Sequence, residues 1–295
     1  MKKIGLLFIL SIMLIGFSAN LRAQLNLLSG IKGGTYQALS EDIQRASTQE
    51  VIVINSNGSV DNFEQLVTDN DIFVAFIQYD VLISNEVKTP SLRKDLRVLL
   101  PLFLDEEIHI ITKSGSGIVN VGDLKGKKVA VGVPGQGTFV TAATIKKAAH
   151  VQWENVEINI NDAQAALDAG DVDAYFYVGG APVNSLAKLK KNAGIKLVNI
   201  RAEGLDDIYS VKEIKAGTYA WQKDDVITLA VPTILVCNVK DMSIDTRRKL
   251  NTLLTDTKKG LMGFQKEGHP KWKDVYTKSH SINWPYYYLK PIVEQ

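Results

Sequence analysis

One cysteine, Cys237, stands in 295 residues, so neither an intramolecular disulfide nor a cysteine-based zinc site is available. The four histidines, His109, His150, His269 and His280, include no pair at the gap of a finger-type zinc site and no His-Glu-x-x-His. An excess of one charge is missing too. Thirty-four basic residues face 32 acidic ones, a net +2, with no basic stripe of the kind that nucleic acid requires. Beyond the N-terminus no segment is apolar for the length of a membrane span. Internal repeats and low-complexity linkers are absent as well. Apolar residues, by contrast, make up 45% of the chain and charged residues 22%, which excludes intrinsic disorder. The length is comfortable for two domains of ordinary size.

The N-terminus has its own pattern. Met1, Lys2 and Lys3 form a basic start, and Ile4 to Phe17 is apolar apart from Ser11 and two glycines. Such a run suits the apolar region of a secretory signal peptide and is short for a spanning helix. The polar stretch after it ends in Leu21-Arg22-Ala23, which offers a small residue for cleavage after Ala23. No cysteine follows the run, so a lipoprotein anchor is unavailable. The expectation is residues 1–23 as a cleaved signal peptide and an exported, periplasmic chain of 272 residues. Without Lys2, Lys3 and Arg22 the basic residues fall to 31 against 32 acidic, a net −1. Attraction for an anion must then come from local groups rather than overall charge.

From residue 24 onward short β-rich runs alternate with amphipathic helices, the pattern of an α/β protein. Strands are expected at 25–28, 51–54, 72–77, 129–133, 156–160, 172–178 and 195–200. Helices are expected at 35–46, 60–68, 139–149, 163–169, 183–191 and 245–265, ahead of an aromatic tail containing Trp272, Trp284 and Tyr286 to Tyr288. Two longer β runs, 98–113 and 226–239, bracket a self-contained α/β block. They read either as two ordinary long strands of one sheet or as two strands crossing between lobes. In the second reading the C-terminal segment completes the first lobe, and the cleft between lobes is a standard place for a small-molecule site.

Catalytic constellations are thin. Ser116, in Lys113-Ser114-Gly115-Ser116-Gly117, lacks the Gly-x-Ser-x-Gly frame of a nucleophile elbow and reads as loop. Asp105, Glu106 and Glu107 are adjacent, whereas carboxylates in general acid–base work face each other across a substrate. Neighbours on an extended run point alternately, so these three read as a solvated or hinge-region cluster. Lys188, Lys190 and Lys191 read as a solvated helix face, the aromatic tail as packing on a lobe, and Cys237 as a small core residue.

The glycine-bearing loops say more. Gly132-Val133-Pro134-Gly135-Gln136-Gly137-Thr138 follows a strand and opens a helix, without the Lys-Ser/Thr of a P-loop or the dinucleotide glycine spacing. A plain turn accounts for it alone. Unpaired N–H groups at a helix start nevertheless suit an anion, glycine lets a ligand approach the backbone, and Thr138 adds a hydroxyl. Gly33-Gly34-Thr35-Tyr36 also joins a strand to a helix. So does Asn55-Ser56-Asn57-Gly58-Ser59, ahead of the helix carrying Asn62. Gln78-Tyr79 and Gly179-Gly180-Ala181-Pro182 follow two further strands. Ligands of open α/β sheets collect at the carboxyl ends of strands. Five such exits give a site of amides and hydroxyls, able to hold a small polar anion but without a nucleophile–base pair to transform one. No catalytic residue, metal or cofactor is expected.

These segments, in this order, resemble the TAXI family of solute-binding (periplasmic receptor) proteins of TRAP transporters. The matching stretches are 33–36, Gly58-Ser59-Val60-Asp61-Asn62, Phe76 to Val81, Glu106 to His109, Ser116-Gly117-Ile118, Asp123 to Val129, Val131 to Thr138, Asp173-Ala174 and Gly179 to Pro182. Gln136 stands where serine is common, Lys32 where a small residue is usual, and Asp105 and Glu107 where prolines commonly flank the glutamate. The resemblance implies a type II periplasmic binding protein fold, two α/β lobes joined by two crossover strands. The division expected is 24–108 with 230–295 for lobe I, and 109–229 for lobe II. It implies a monomeric, non-enzymatic receptor that captures a small carboxylate (glutamate, glutamine or a 2-oxo acid) and delivers it to a TRAP-type permease. The rival readings are a ligand-sensing module for a membrane receptor and, further off, an enzyme on the same scaffold. Carried over by position, Gly34, Thr35, Tyr36, Ser59, Asn62 and Gln78 serve the ligand from the first lobe. Gly137, Thr138 and Gly179 face them from the second. Lys32 reads as an exposed lysine ahead of the alternative, a positive charge for a second carboxylate.

Overall fold

The computed structural model describes residues 24–275 and 282–289. The expected signal peptide, with its cleavage point, lies outside the described residues, as does His280.

The first third of the chain builds a parallel sheet clad in helices. Strands β1 (Leu25–Leu28), β2 (Val51–Ile54) and β3 (Ile72–Gln78) pair in the order β2-β1-β3. They are connected through α1 (Thr35–Ala46) and α2 (Ser59–Thr68), and followed by α3 (Tyr79–Lys88) and a single turn, α4 (Leu92–Asp95). These strands are nearly continuous apolar runs, as sheets covered on both faces require. In α1 the buried residues Tyr36, Leu39 and Ile43 recur at helical spacing and turn one stripe inward.

β4 (Leu96–Lys113) then runs without interruption for 18 residues. No break interrupts it at Leu104-Asp105-Glu106-Glu107. The irregularity sits in the pairing instead. The antiparallel partner β10 (Val226–Asn238) shifts register between Thr233 and Ile234, whose partners are Leu104 and Pro101. A bulge of this kind is where a sheet tolerates proline.

A second sheet region follows, with β5 (Lys128–Ala130), β6 (Glu154–Val156) and β7 (Ala174–Gly179) arranged β7-β5-β6. Around it lie α5 (Gly137–Ala148), α6 (Ala163–Ala169), α7 (Asn184–Ala187), β8 (Ile195–Leu197) and β9 (Ser210–Ile214). Only one turn of the helix expected at 183–191 forms. The C-terminal segment returns to the first sheet as α8 (Ile244–Glu267) and a 3-10 turn (Pro270–Asp274).

β4 and β10 serve both regions. β10 pairs β9 through Ala230 and β3 from Thr233 onward, while β4 pairs β7 and β8 from Glu107 onward. They pass each other at Glu107↔Ala230, Glu106↔Val231 and Asp105↔Pro232. The molecule is thus two α/β lobes joined by two crossover strands, and the acidic triplet lies at the crossing. Trp272 is fully buried, and Trp284 and Tyr287 are nearly so, packed as expected on the first lobe, while Cys237 sits in its core.

Candidate functional site

Three helix starts from the two lobes converge on one cavity of about 500 Å³ between them. From the first lobe come the start of α1, with Gly34, Thr35 and Tyr36, and the start of α2, with Gly58 and Ser59. From the second comes the start of α5, with Gln136, Gly137 and Thr138. No side chain caps any of these three helices, so N–H groups of their first turns remain available. Three positive dipole ends at one cavity favour an anion.

The side chains are held in place by bonds that need the whole fold. Ser59 Oγ accepts from the backbone N–H of Gln78 at 2.7 Å, locking α2 to the end of β3. Gln78 Nε2 donates to Glu106 Oε2 at 2.9 Å, and Tyr36 Oη donates to the same oxygen at 2.9 Å. Tyr36 stacks on Phe76 with centroids 5.3 Å apart. Burial, then the neighbouring Glu106 charge, pushes its hydroxyl well above the usual tyrosine range. Thr138 Oγ1 receives a long bond from Val178 N–H at 3.4 Å. Two buried side-chain atoms in the wall have no partner among the described residues, the acceptor Gln78 Oε1 and the donor Gln136 Nε2.

Of the nine site residues expected from sequence, Gly34, Thr35, Tyr36, Ser59, Gln78, Gly137, Thr138 and Gly179 all line this cavity. Asn62 does not. It lies one helical turn below Ser59, where its amide donates to Ser29 O at 2.6 Å and Phe76 O at 2.7 Å and ties together the ends of β1 and β3. Lys32 joins the wall and is exposed, as its reading as an exposed lysine expects. Lys188, read as part of a solvated face, lines it too while remaining exposed.

The acidic triplet is not solvated. Asp105 is buried and ion-paired with Lys212, and Glu107 Oε2 accepts from Ala181 N–H at 2.7 Å and from Lys271 Nζ at 3.4 Å. Glu106 is buried and faces the cavity. Alternation along the strand held, but which face is wet depends on what β10 and the opposite lobe cover. The pattern of residues 104–107 contains no trace of that.

The lobes also touch directly. Asp61 N–H donates to Gly135 O at 3.0 Å. Asp80, buried at the start of α3, accepts from Thr141 Oγ1 of α5 at 2.6 Å and from Tyr209 Oη at 2.7 Å. Burial raises the pKa of that carboxyl against the lowering effect of its donors. Among the described residues neither Ser59 nor Ser116 bonds a histidine. Ser116 Oγ accepts from Ile118 N–H, and His109 is engaged with Glu107 O at 2.9 Å and Tyr219 Oη at 2.7 Å.

Two lobes, two crossover strands and a cleft at the crossing define the type II periplasmic binding protein fold. The ligand-binding core of GluR0 from Nostoc punctiforme, solved with L-glutamate, is similar over 85% of this chain and 99% of its own, at 17% identity and a TM-score of 0.51. A TctC solute-binding protein from Polaromonas, solved without ligand, is similar over 85% of this chain and 86% of its own, at 15% identity and a TM-score of 0.51. YhfZ from Shigella flexneri is similar over 84% and 93%, at 13% identity and a TM-score of 0.51. At these identities the likeness is one of fold. The chain belongs to the NMT1-like family, whose model matches residues 27–275.

Proposed function

We propose that this protein is an exported solute-binding receptor, of the TAXI type used by TRAP transporters. It captures a small carboxylate between its lobes and hands it to a membrane permease. The observation that carries the reading is the convergence of three uncapped helix starts, from both lobes, on one cavity. Those N–H groups offer an anion hydrogen bonds, and Lys32 and Lys188 at the wall add positive charge. The chemistry fits holding a solute, and no nucleophile–base pair in the wall supports turning it over. Glutamate, glutamine and related 2-oxo acids are the ligand class, and GluR0's complex with L-glutamate supports the choice on the level of fold. The lobe boundaries follow the crossing, with 24–108 and 230–295 in one lobe and 109–229 in the other. Ligand capture works by population shift, since contacts to both lobes exist only when they are together.

The test is thermal unfolding of ligand-stripped protein against a panel of carboxylates and amino acids. A ligand at about 100 times its dissociation constant stabilises the native state by about 2.7 kcal/mol, or roughly 5–10 °C for a chain of this size. No shift with any member of the panel overturns the reading.

Within the site, Thr138→Val removes the hydroxyl at the start of α5 while preserving shape. Affinity is expected to fall by about 1–2 kcal/mol, read by titration calorimetry. Wild-type affinity in the variant removes Thr138 from the ligand contacts.

A further inference from the structure

Among the residues lining the cavity the charged side chains are Lys32, Lys188 and one acid, Glu106. Glu106 stands on β4 at its crossing with β10 and is 6% exposed. Tyr36 and Gln78 donate to its Oε2, and Thr233 Oγ1 lies 3.2 Å from the tyrosine oxygen. A carboxylate has about four lone-pair sites, so these two donors leave acceptor capacity for the occupant of the cavity. The basic side chains at the crossing are spent elsewhere. Lys212 pairs with Asp105, and Lys271 Nζ serves Asp105 O, Glu107 Oε2 and Asp274 Oδ2. Glu106 is therefore a buried carboxylate with hydrogen bonds but no ion-pair partner among the described residues. A buried charge in that condition is costly until a cation meets it.

Resting on the receptor reading above, we propose that Glu106 is the specificity-determining residue of the cavity, accepting a ligand's ammonium group and so selecting amino acids over 2-oxo acids of the same carbon skeleton. The helix starts take the carboxylate that both ligands share. At Glu106 the two differ: an ammonium donates to the carboxylate, whereas a keto oxygen sets acceptor against acceptor and leaves both unpaired. A site built to hydrogen-bond a missing group discriminates strongly for that reason.

The charge state of Glu106 gives the selectivity a pH dependence. Burial raises its pKa from the ordinary carboxylate value to about 7, against the lowering effect of Gln78, Tyr36 and Thr233. The titratable groups around it are Tyr36 from α1, Asp80 from α3 and Tyr177 from β7, all raised chiefly by burial, with Lys32 and Lys188 on the wall. With a pKa of about 7 the ionised fraction of Glu106 rises about tenfold from pH 6 to pH 8. Amino-acid affinity rises with it, and 2-oxo acid affinity does not.

The experiment titrates ligand-stripped protein with matched pairs, L-glutamate with 2-oxoglutarate and L-alanine with pyruvate, at pH 6 and pH 8. The amino acid of a binding pair is expected to bind at least tenfold more tightly at pH 8, with the gap narrowing towards pH 6. Glu106→Gln retains an oxygen for Tyr36 and Gln78 and presents an NH2 group where an acceptor stood. It is expected to favour the keto member and to lose the pH dependence. A wild-type preference for the 2-oxo acid at pH 8, or an unchanged ratio in E106Q with a native melting temperature, overturns the assignment and leaves the receptor reading standing. Heat from neither member of either pair, nor from any carboxylate or amino acid of the wider panel, overturns both. The wild-type pH profile tests the same claim without any substitution.

Discussion

Gly137→Ala is expected to abolish tight ligand capture while leaving each lobe folded. A Cβ at this position would lie 1.5 Å from Gln78 Oε1, 2.5 Å from its Cδ and 3.1 Å from Ser59 Cβ. Gln78 and Ser59 belong to the first lobe and Gly137 to the second, so the methyl is inserted between lobes. The Gln78 amide can swing away only by releasing its bond to Glu106, and Ser59 is fixed by its own bond to the Gln78 backbone. Overpacking costs about 1–3 kcal/mol, and an orphaned buried polar group about 1–3 kcal/mol more. The expected loss is roughly 30- to 20,000-fold in affinity, taking about 1.4 kcal/mol per tenfold. Alanine is a better helix former than glycine, so α5 itself is not weakened. The melting temperature without ligand should stay within a few degrees of wild type. Unchanged affinity would mean that the lobes do not approach at Gly137 when ligand is held.

The second large effect falls on stability. Trp272, fully buried in the turn after α8, donates from Nε1 to Asp42 Oδ2 at 2.7 Å and packs on Phe264 with centroids 4.7 Å apart. The same Asp42 oxygen accepts from His269 N–H at 2.9 Å, so this turn is pinned to α1. Trp272→Ala removes the largest fully buried side chain of the first lobe, and such truncations cost about 3–5 kcal/mol. A drop of roughly 6–20 °C in melting temperature follows for a chain of this size. Trp272→Phe keeps most of the ring and loses the N–H, and should fall in between. The adjacent Lys271 reaches the crossing, and its Cε occupies the space where Gly180 would carry a Cβ, 2.1 Å away. Loosening this turn therefore also loosens the hinge. A melting temperature within 2–3 °C of wild type in W272A would show that the C-terminal segment is dispensable to the lobe.

The residues that could be read from sequence share a property: their role is local. A glycine or hydroxyl at a strand exit ahead of a helix faces the carboxyl end of the sheet whatever else the chain does. That is why Thr35, Ser59, Gly137 and Thr138 all reached the cavity. The extents of α1 and α6 were legible for a related reason, since burial periodicity and the polar or glycine residues bounding them are local signals. Glu106 was not legible. Its burial depends on β10, some 125 positions later in the chain, and on the opposite lobe closing over it. Lys188 is exposed, as its solvated reading expects, but its place beside the cavity depends on the opposite lobe and leaves no local signal. Asn62 erred in the opposite direction. One helical turn carries it below the wall and into the strand ends. α3 was missed because its buried positions cluster in its first turn, Tyr79 to Leu82, instead of recurring along a face.

The most direct test of the account is titration calorimetry of the ligand-stripped protein with small carboxylates and amino acids, run beside Gly137→Ala. The account predicts saturable one-site heat for at least one of these solutes in the wild-type protein, and its loss or severe weakening in the variant. A wild-type protein that yields no heat with any of them, or a variant that binds as tightly as wild type, would contradict it.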